Sequence, residues 1–246
     1  YAPMITTEMT VSEIEDAAKK PYVDEIYYNP EVEFTVQNSF ITSNNVQKVR
    51  EEIGLTGEGV KVGIWERGSI DITGSLANSN IINMDTTSAL PHKTNVAKVI
   101  TGDTGIAPNV TLYSSPNLIQ YNMVPAAAEE LISVGINVMN ISFGGLTDSY
   151  HSLNKWVEHI VSQHNVTVVV AAGNFSDSYR IHSPGKAYNV ITVGSFHDET
   201  ENDTSDDILA SYSCYVEIDD AAEKPDLVAH GYINSVDAGT SFATPN

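Results

Sequence analysis

From Leu55 onward, short apolar runs alternate with longer stretches of mixed polarity. Val60-Lys61-Val62-Gly63-Ile64-Trp65 reads as a strand, Val110–Ser114 as a short one and Asn137–Ile141 as another. Val166–Ala171 is almost wholly apolar, the pattern of a parallel strand covered on both faces, and Val190–Val193 repeats it. Between these runs, His92–Ile100, Val124–Ser133 and Tyr150–Gln163 carry helical texture. Strands and helices in alternation predict an α/β fold with a mostly parallel central sheet.

The first residues read differently. Met4–Thr10 has strand-like composition, and Ser12 with Glu15 three residues on has the spacing of a capping box. Ile14, Ala17 and Ala18 give that helix an apolar face, and Pro21 is expected to stop it. Val23–Tyr28 reads as a second strand and Asn29-Pro30 as a turn. A strand–helix–strand piece of this size buries too little surface to stand alone and is expected to pack on something larger. The division expected is a small α+β unit at 1–34, a linker and N-terminal helix at 35–55, and the α/β domain at 56–246.

Composition narrows the function. Of 246 residues, 32 are acidic and 12 basic, a formal charge of −20, which speaks against nucleic acid or an anionic membrane surface as partner. The single cysteine, Cys214, rules out an internal disulfide framework. No apolar run has the length of a membrane span. The chain opens on Tyr1 and closes five residues after Ser241, and both ends read as cuts in a longer chain, so the 246 residues alone are expected to form an incomplete core with little activity.

In parallel α/β sheets, sites gather at the carboxyl ends of the strands. Glu66-Arg67-Gly68 follows the first run, Ser142-Phe143-Gly144-Gly145 follows Val138–Ile141, and Gly173-Asn174 follows Val168–Ala172. Ser241 lies in Gly239-Thr240-Ser241-Phe242-Ala243-Thr244-Pro245. Taken singly, a serine in such a turn is ordinarily a helix cap, a histidine before a helix is structural and an asparagine after a strand is a turn residue. Their ordered combination points to chemistry. A serine hydroxyl needs a base to take its proton, imidazole does so near neutral pH, and a carboxylate must fix the imidazole tautomer.

The same segments resemble the subtilase family in consistent order over about residues 56–246. Gly239–Pro245 is similar to its nucleophile motif and His92-Lys93-Thr94-Asn95-Val96-Ala97 to its histidine motif. Gly105-Ile106-Ala107-Pro108, Ser183-Pro184-Gly185-Lys186 and Lys224-Pro225-Asp226 also match. The resemblance implies a three-layer subtilisin-like fold and a serine endopeptidase acting through an acyl-enzyme. Ser241 would be the nucleophile, His92 the general base, Glu66 the orienting carboxylate and Asn174 the oxyanion donor. Ser142, Phe143, Gly144, Gly145, Ala172 and Gly173 would line the substrate groove, with the two glycines letting a peptide backbone approach and pair. Residues 1–34 would be the end of a propeptide that binds its own enzyme, released by cleavage near Phe34, and the protein would be extracellular or held at a cell surface. No cofactor is expected. Acidic loops such as Asp198–Asp207 are candidates for calcium, which many subtilases bind, but no ligand spacing defines a site.

Three features depart from the family. Glu66 stands where it has Asp, and the extra methylene carries the carboxylate about 1.5 Å further, a distance that matters when about 1 Å of misplacement costs on the order of 10² in rate. Asp71 is the alternative carboxylate. Lys93 stands where the family has Gly and is expected to affect substrate access, while Asn95 replaces a common second His. These departures leave a second function class open, a pseudoprotease that binds peptides or a partner without cutting. Asp103-Thr104-Gly105 has the tripeptide of an aspartic protease, but a turn after the His92 helix accounts for it better.

Overall fold

The computed structural model describes residues 10–21, 23, 46–84, 87–116, 124–145, 152–175, 180–198, 205–216, 223–233 and 237–246. The chain divides into two compact units, Tyr1–Thr35 and Val36–Asn246. The strands expected at Met4–Thr10 and Val23–Tyr28 lie, but for Thr10 and Val23, outside the described residues, as does Phe34.

The first unit contributes α1 (Val11–Ala17). Its capping box is Thr10 with Glu13, not Ser12 with Glu15: Thr10 Oγ1 accepts from Glu13 N, and the Glu13 carboxylate accepts from Thr10 N at 2.8 Å. The extended backbone of Thr10 lets its side chain fold over the first turn, so the helix starts at Val11. It ends at Ala17, short of Pro21.

In the second unit, α2 (Val46–Ile53) leads through Gly54 to the sheet. The further elements in order are β1 (Lys61–Glu66), a 3₁₀ turn at Gly74–Leu76, β2 (Ile81–Asn83), α3 (Pro91–Thr101), β3 (Thr111–Pro116) and α4 (Val124–Ser133). Then come β4 (Val138–Ile141), α5 (Ser152–His164), β5 (Thr167–Ala171), β6 (Ile191–His197), β7 (Ile208–Leu209), β8 (Leu227–His230) and α6 (Thr240–Ala243). The eight strands form one sheet ordered β2-β3-β1-β4-β5-β6-β7, with β8 also paired to β6. Among the described residues, every strand pairing is parallel except β6 with β7.

Alternation along the strands divides the core into two faces. Val62 and Ile64 of β1 pack with Val96, Val99 and Ile100 of α3 and with Phe242 of α6. Trp65, Met139, Ile141, Val168 and Val170 face the other way, against Ala127, Ala128 and Leu131 of α4 and Val157 and Ile160 of α5. Helices on both sides of a mostly parallel sheet make the three-layer α/β architecture that the alternating pattern predicts. No helix among the described residues is long and apolar enough to cross a membrane.

Candidate active site

The central strands β1, β4 and β5 end at Glu66, Ile141 and Ala171, and all run the same way. Their exits therefore deliver Glu66, Ser142 and Asn174 to one edge of the sheet. On one face of the sheet, α3 begins at Pro91 and α6 at Thr240, and their packing brings His92 and Ser241 to that edge.

His92 Nδ1 is hydrogen-bonded to Glu66 Oε1. The carboxylate side chain is 7% exposed, whereas the imidazole remains 45% exposed. Burial alone would lower the His92 pKa, but the Glu66 hydrogen bond and charge, with Asp237 adding to them, hold it above the ordinary imidazole value. Glu66 Oε2 is buried without a hydrogen-bond partner among the described residues. Asp71 takes no part: it is exposed, its Oδ1 accepts from Thr73 N at 3.0 Å and its own amide donates to Thr94 Oγ1 at 3.0 Å. Asp103 is likewise exposed, in the turn after α3.

Lys93 is not at the surface of the groove. It is fully buried, and its Nζ donates to the carbonyls of Glu66 (2.9 Å), Gly68 (2.7 Å) and Ser115 (2.7 Å). The access role expected of a lysine at a family glycine position fails because three backbone oxygens, at the ends of β1 and β3 and in the turn after β1, hold it inside. Gly68 turns the chain after Glu66 at φ +78, and a Cβ there would come within 2.6 Å of Leu90. The turn is then tied to the start of α3, with Leu90 N donating to Ser69 O at 3.1 Å.

Ser241 sits one residue inside α6, and its neighbour Phe242 lies against the His92 ring at 5.3 Å between centroids. The Ser241 hydroxyl donates to Ser142 O at 3.0 Å, and Ser142 Oγ donates to Ser241 O at 2.8 Å. Ser241 N is one of the first-turn amides for which a helix has no acceptor of its own. Asn174 Oδ1 accepts from both Thr240 N and Thr240 Oγ1 at 2.8 Å. With its oxygen held twice, the exposed Asn174 is left with its Nδ2 as the outward donor.

The groove segments divide by their backbone pairing. Gly145 N donates to Ser183 O and Ser183 N to Gly145 O, both at 3.0 Å, so Gly145 has no backbone group left for a second strand. Along an extended path the groups of Ser142 and Gly144 would alternate to the opposite edge. The expectation that both glycines pair with a peptide therefore narrows to Gly144. Phe143 is partly buried against Trp65, with ring centroids 5.1 Å apart. Ala172 has no exposed surface, and its N–H and C=O are taken by Val193 O and His182 N. It carries the Gly173-Asn174 turn. Gly173 N donates to Thr240 Oγ1 at 3.2 Å, which ties that turn to α6.

Cys214, buried and free, supports the same turn: its amide donates to Gly173 O at 3.1 Å and its Sγ accepts from Phe175 N at 3.4 Å. His182 packs under Phe175 at 5.1 Å between centroids, and burial, with the charge of Lys186, lowers its pKa. Thr240 and Cys214 were not among the site residues expected from sequence, and Lys93 was expected only to affect access. Away from this edge, Asp198, Asp206 and Asp207 bring carboxylate oxygens within 4.8 Å of one another. Partly exposed acidic groups of this kind are common without an ion.

The arrangement offers an imidazole backed by a carboxylate, a hydroxyl at a helix start and an amide donor fixed beside it. The chain is similar to known proteins. Serine protease AprX of Bacillus subtilis (strain 168) is 28% identical across 91% of this chain, which spans 57% of that protein's length. Subtilisin DY of Bacillus licheniformis is 31% identical across 62% of this chain and 61% of its own. Among solved structures, the Prenylagaramide maturation protease PagA superposes with a TM-score of 0.66 at 25% identity, covering 81% of this chain and 76% of its own. The family model of the subtilases matches residues 57–246, and the chain belongs to the subtilase family.

Proposed function

We propose that the protein is a serine endopeptidase that hydrolyses peptide bonds through an acyl-enzyme. The observation that carries this reading is the buried Glu66 carboxylate bonded to His92 Nδ1, next to the helix that bears Ser241. In the reaction, Ser241 rotates from Ser142 O toward His92 Nε2, and contacts of this kind tighten when substrate binds. Ser241 Oγ bonds to the scissile carbonyl carbon as its proton passes to His92 Nε2. Glu66 stabilises the resulting imidazolium. Asn174 Nδ2 and Ser241 N–H bind the developing oxyanion. The C–N bond then breaks with His92 returning the proton to the departing amine, and water releases the acyl group by the same steps in reverse order.

The freed Ser142 carbonyl and the backbone of Gly144 pair with the peptide on the acyl side of the cleaved bond. Residues 1–34 act as a propeptide for the same groove, removed by cleavage near Phe34, and the enzyme works outside the cell or at its surface. N-terminal sequencing of the mature protein checks this part; a start upstream of Val23 contradicts it.

The pseudoprotease reading draws on one observation, the Ser241 hydroxyl resting on Ser142 O instead of on the base. Labelling by a fluorophosphonate separates the two. In the complete protein, wild type is expected to label on Ser241 and to cleave an unfolded protein substrate, while Ser241→Ala does neither. A folded wild-type protein that never labels overturns the endopeptidase reading.

A further inference from the structure

We propose that Lys93 is a positioning residue, whose ammonium holds the backbone of Glu66 at the depth where a glutamate, and not a shorter aspartate, meets His92 Nδ1. The inference rests on the roles of Glu66 and His92 given above and adds what fixes their separation.

A lysine ammonium has three donors, and burying it without partners is strongly unfavourable. Lys93 is fully buried, and each donor has a carbonyl within 2.9 Å. The choice of carbonyls is informative. Glu66 O closes β1, Gly68 O lies in the turn that follows, and Ser115 O belongs to β3 beside it, in a parallel register that pairs Trp65 with Ser115. The ammonium therefore gathers the exit of β1 and its turn onto the neighbouring strand.

Lys93 is also the residue after His92 in the first turn of α3. Base and clamp share one stretch of helix, so the Lys93 side chain ties the Glu66 backbone directly to the turn that bears the imidazole, beside the Leu90 N to Ser69 O bond further along the loop. Other bonds fasten this region, Ser69 N to Ser88 O at 3.2 Å and Asp71 N to Thr94 Oγ1 at 3.0 Å, but they act beyond Gly68. The carboxylate itself has little other guidance, because Oε1 meets His92 and Oε2 is buried with no hydrogen bond among the described residues. A carboxylate held by one bond takes its position from its backbone. An Asp on this backbone would fall about 1.5 Å short, enough to cost on the order of 10² in rate.

The test uses the complete protein with Lys93→Met, which keeps the volume and removes the ammonium, Glu66→Asp, and the double variant. Two quantities are read: kcat and KM on a peptide substrate, and the low-field proton resonance of the His92 Nδ1–H bound to a carboxylate. Lys93→Met is expected to lower kcat about 10²-fold with KM within about threefold, and to move the proton resonance upfield. Glu66→Asp is expected to do the same. In the Lys93→Met background the further cost of Glu66→Asp shrinks below about tenfold, because the register it depends on is already lost.

A Lys93→Met protein with wild-type kcat and an unmoved proton overturns the proposal, as does a Glu66→Asp protein with wild-type kcat. If Lys93→Met does not fold, the same two readings are taken on Lys93→Gln, whose shorter neutral amide cannot reach all three carbonyls, and wild-type kcat with an unmoved proton there overturns the proposal. If the wild type proves inactive, the endopeptidase reading fails, but the proton resonance still decides the positioning claim without turnover.

Discussion

Asn174→Asp isolates the oxyanion donor better than the usual alanine change. The Oδ1 atom of Asn174 takes two hydrogen bonds from Thr240, both at 2.8 Å, so the side chain is pinned by its oxygen and acts through its nitrogen. An aspartate keeps an oxygen in the pinned place and puts a negatively charged oxygen where the Nδ2 donor was. Loss of one such donor typically costs about 10²–10³ in kcat, or roughly 2.7–4 kcal/mol. A negative charge facing a developing oxyanion adds repulsion, about 1 kcal/mol at 4 Å in a water-like medium, the relevant limit for a residue this exposed. Asn174→Asp should therefore lower kcat by on the order of 10³–10⁴, with KM within about threefold and thermal stability near wild type. Asn174→Ala should lower kcat about 10²–10³-fold but also lose stability, because both Thr240 bonds go with it. Steady-state kinetics on a peptide amide, beside thermal unfolding of each variant, give the comparison. An Asn174→Asp protein within tenfold of wild-type kcat would show that Nδ2 does not bind the oxyanion.

Two further changes test the surroundings. Since the base must be neutral and the His92 pKa is raised by Glu66 and Asp237, kcat/KM should climb with pH through a value above that of an ordinary imidazole; the stability tied to this shift is full below the unfolded imidazole pKa and fades as pH rises through the folded one. Glu66→Gln leaves burial as the main influence, so the acid limb of the profile should move to lower pH while kcat falls on the order of 10⁴-fold; an unmoved limb would remove Glu66 from its role. Gly173→Ala meets a φ of +114 and places a Cβ 2.7 Å from the His182 ring, so unfolding should show a loss of about 1–3 kcal/mol, and an unchanged midpoint would refute the strain.

How much of this was legible in the sequence depended on where each element draws its stability. The strands β1, β3, β4, β5 and β6 and the helices α3, α4 and α5 stood out because burial on one or both faces leaves a long apolar pattern. β2 and β7 have three and two residues, too few for a period, and in β8 Leu227 and Val228 are 48% and 45% exposed. α6 has four residues and announces itself only through the chemistry of its Gly-Thr-Ser turn. In α1 two capping boxes were spelled out two residues apart, and the extended backbone at Thr10 decided between them.

The site divides along a different line. Glu66, His92, Asn174 and Ser241 stood out as candidates because the proposed orienting acid, base, donor and nucleophile each demand a particular side chain, and each follows a strand or opens a helix. Lys93 carried no such mark. A lysine one residue from the groove reads as a solvated charge, since lysines are almost never fully buried unless paired. Its partners are main-chain carbonyls, which every residue has and no sequence distinguishes. Gly145 failed for the same reason: whether its N–H is open to a peptide depends on Ser183, 38 positions on, whose side chain gives no sign of the pairing. The glutamate at position 66 was thus visible as a departure, while its compensation was not. On the proposed account a longer acid needs a backbone held back, and what would hold it here is one buried ammonium gathering the oxygens of Glu66, Gly68 and Ser115.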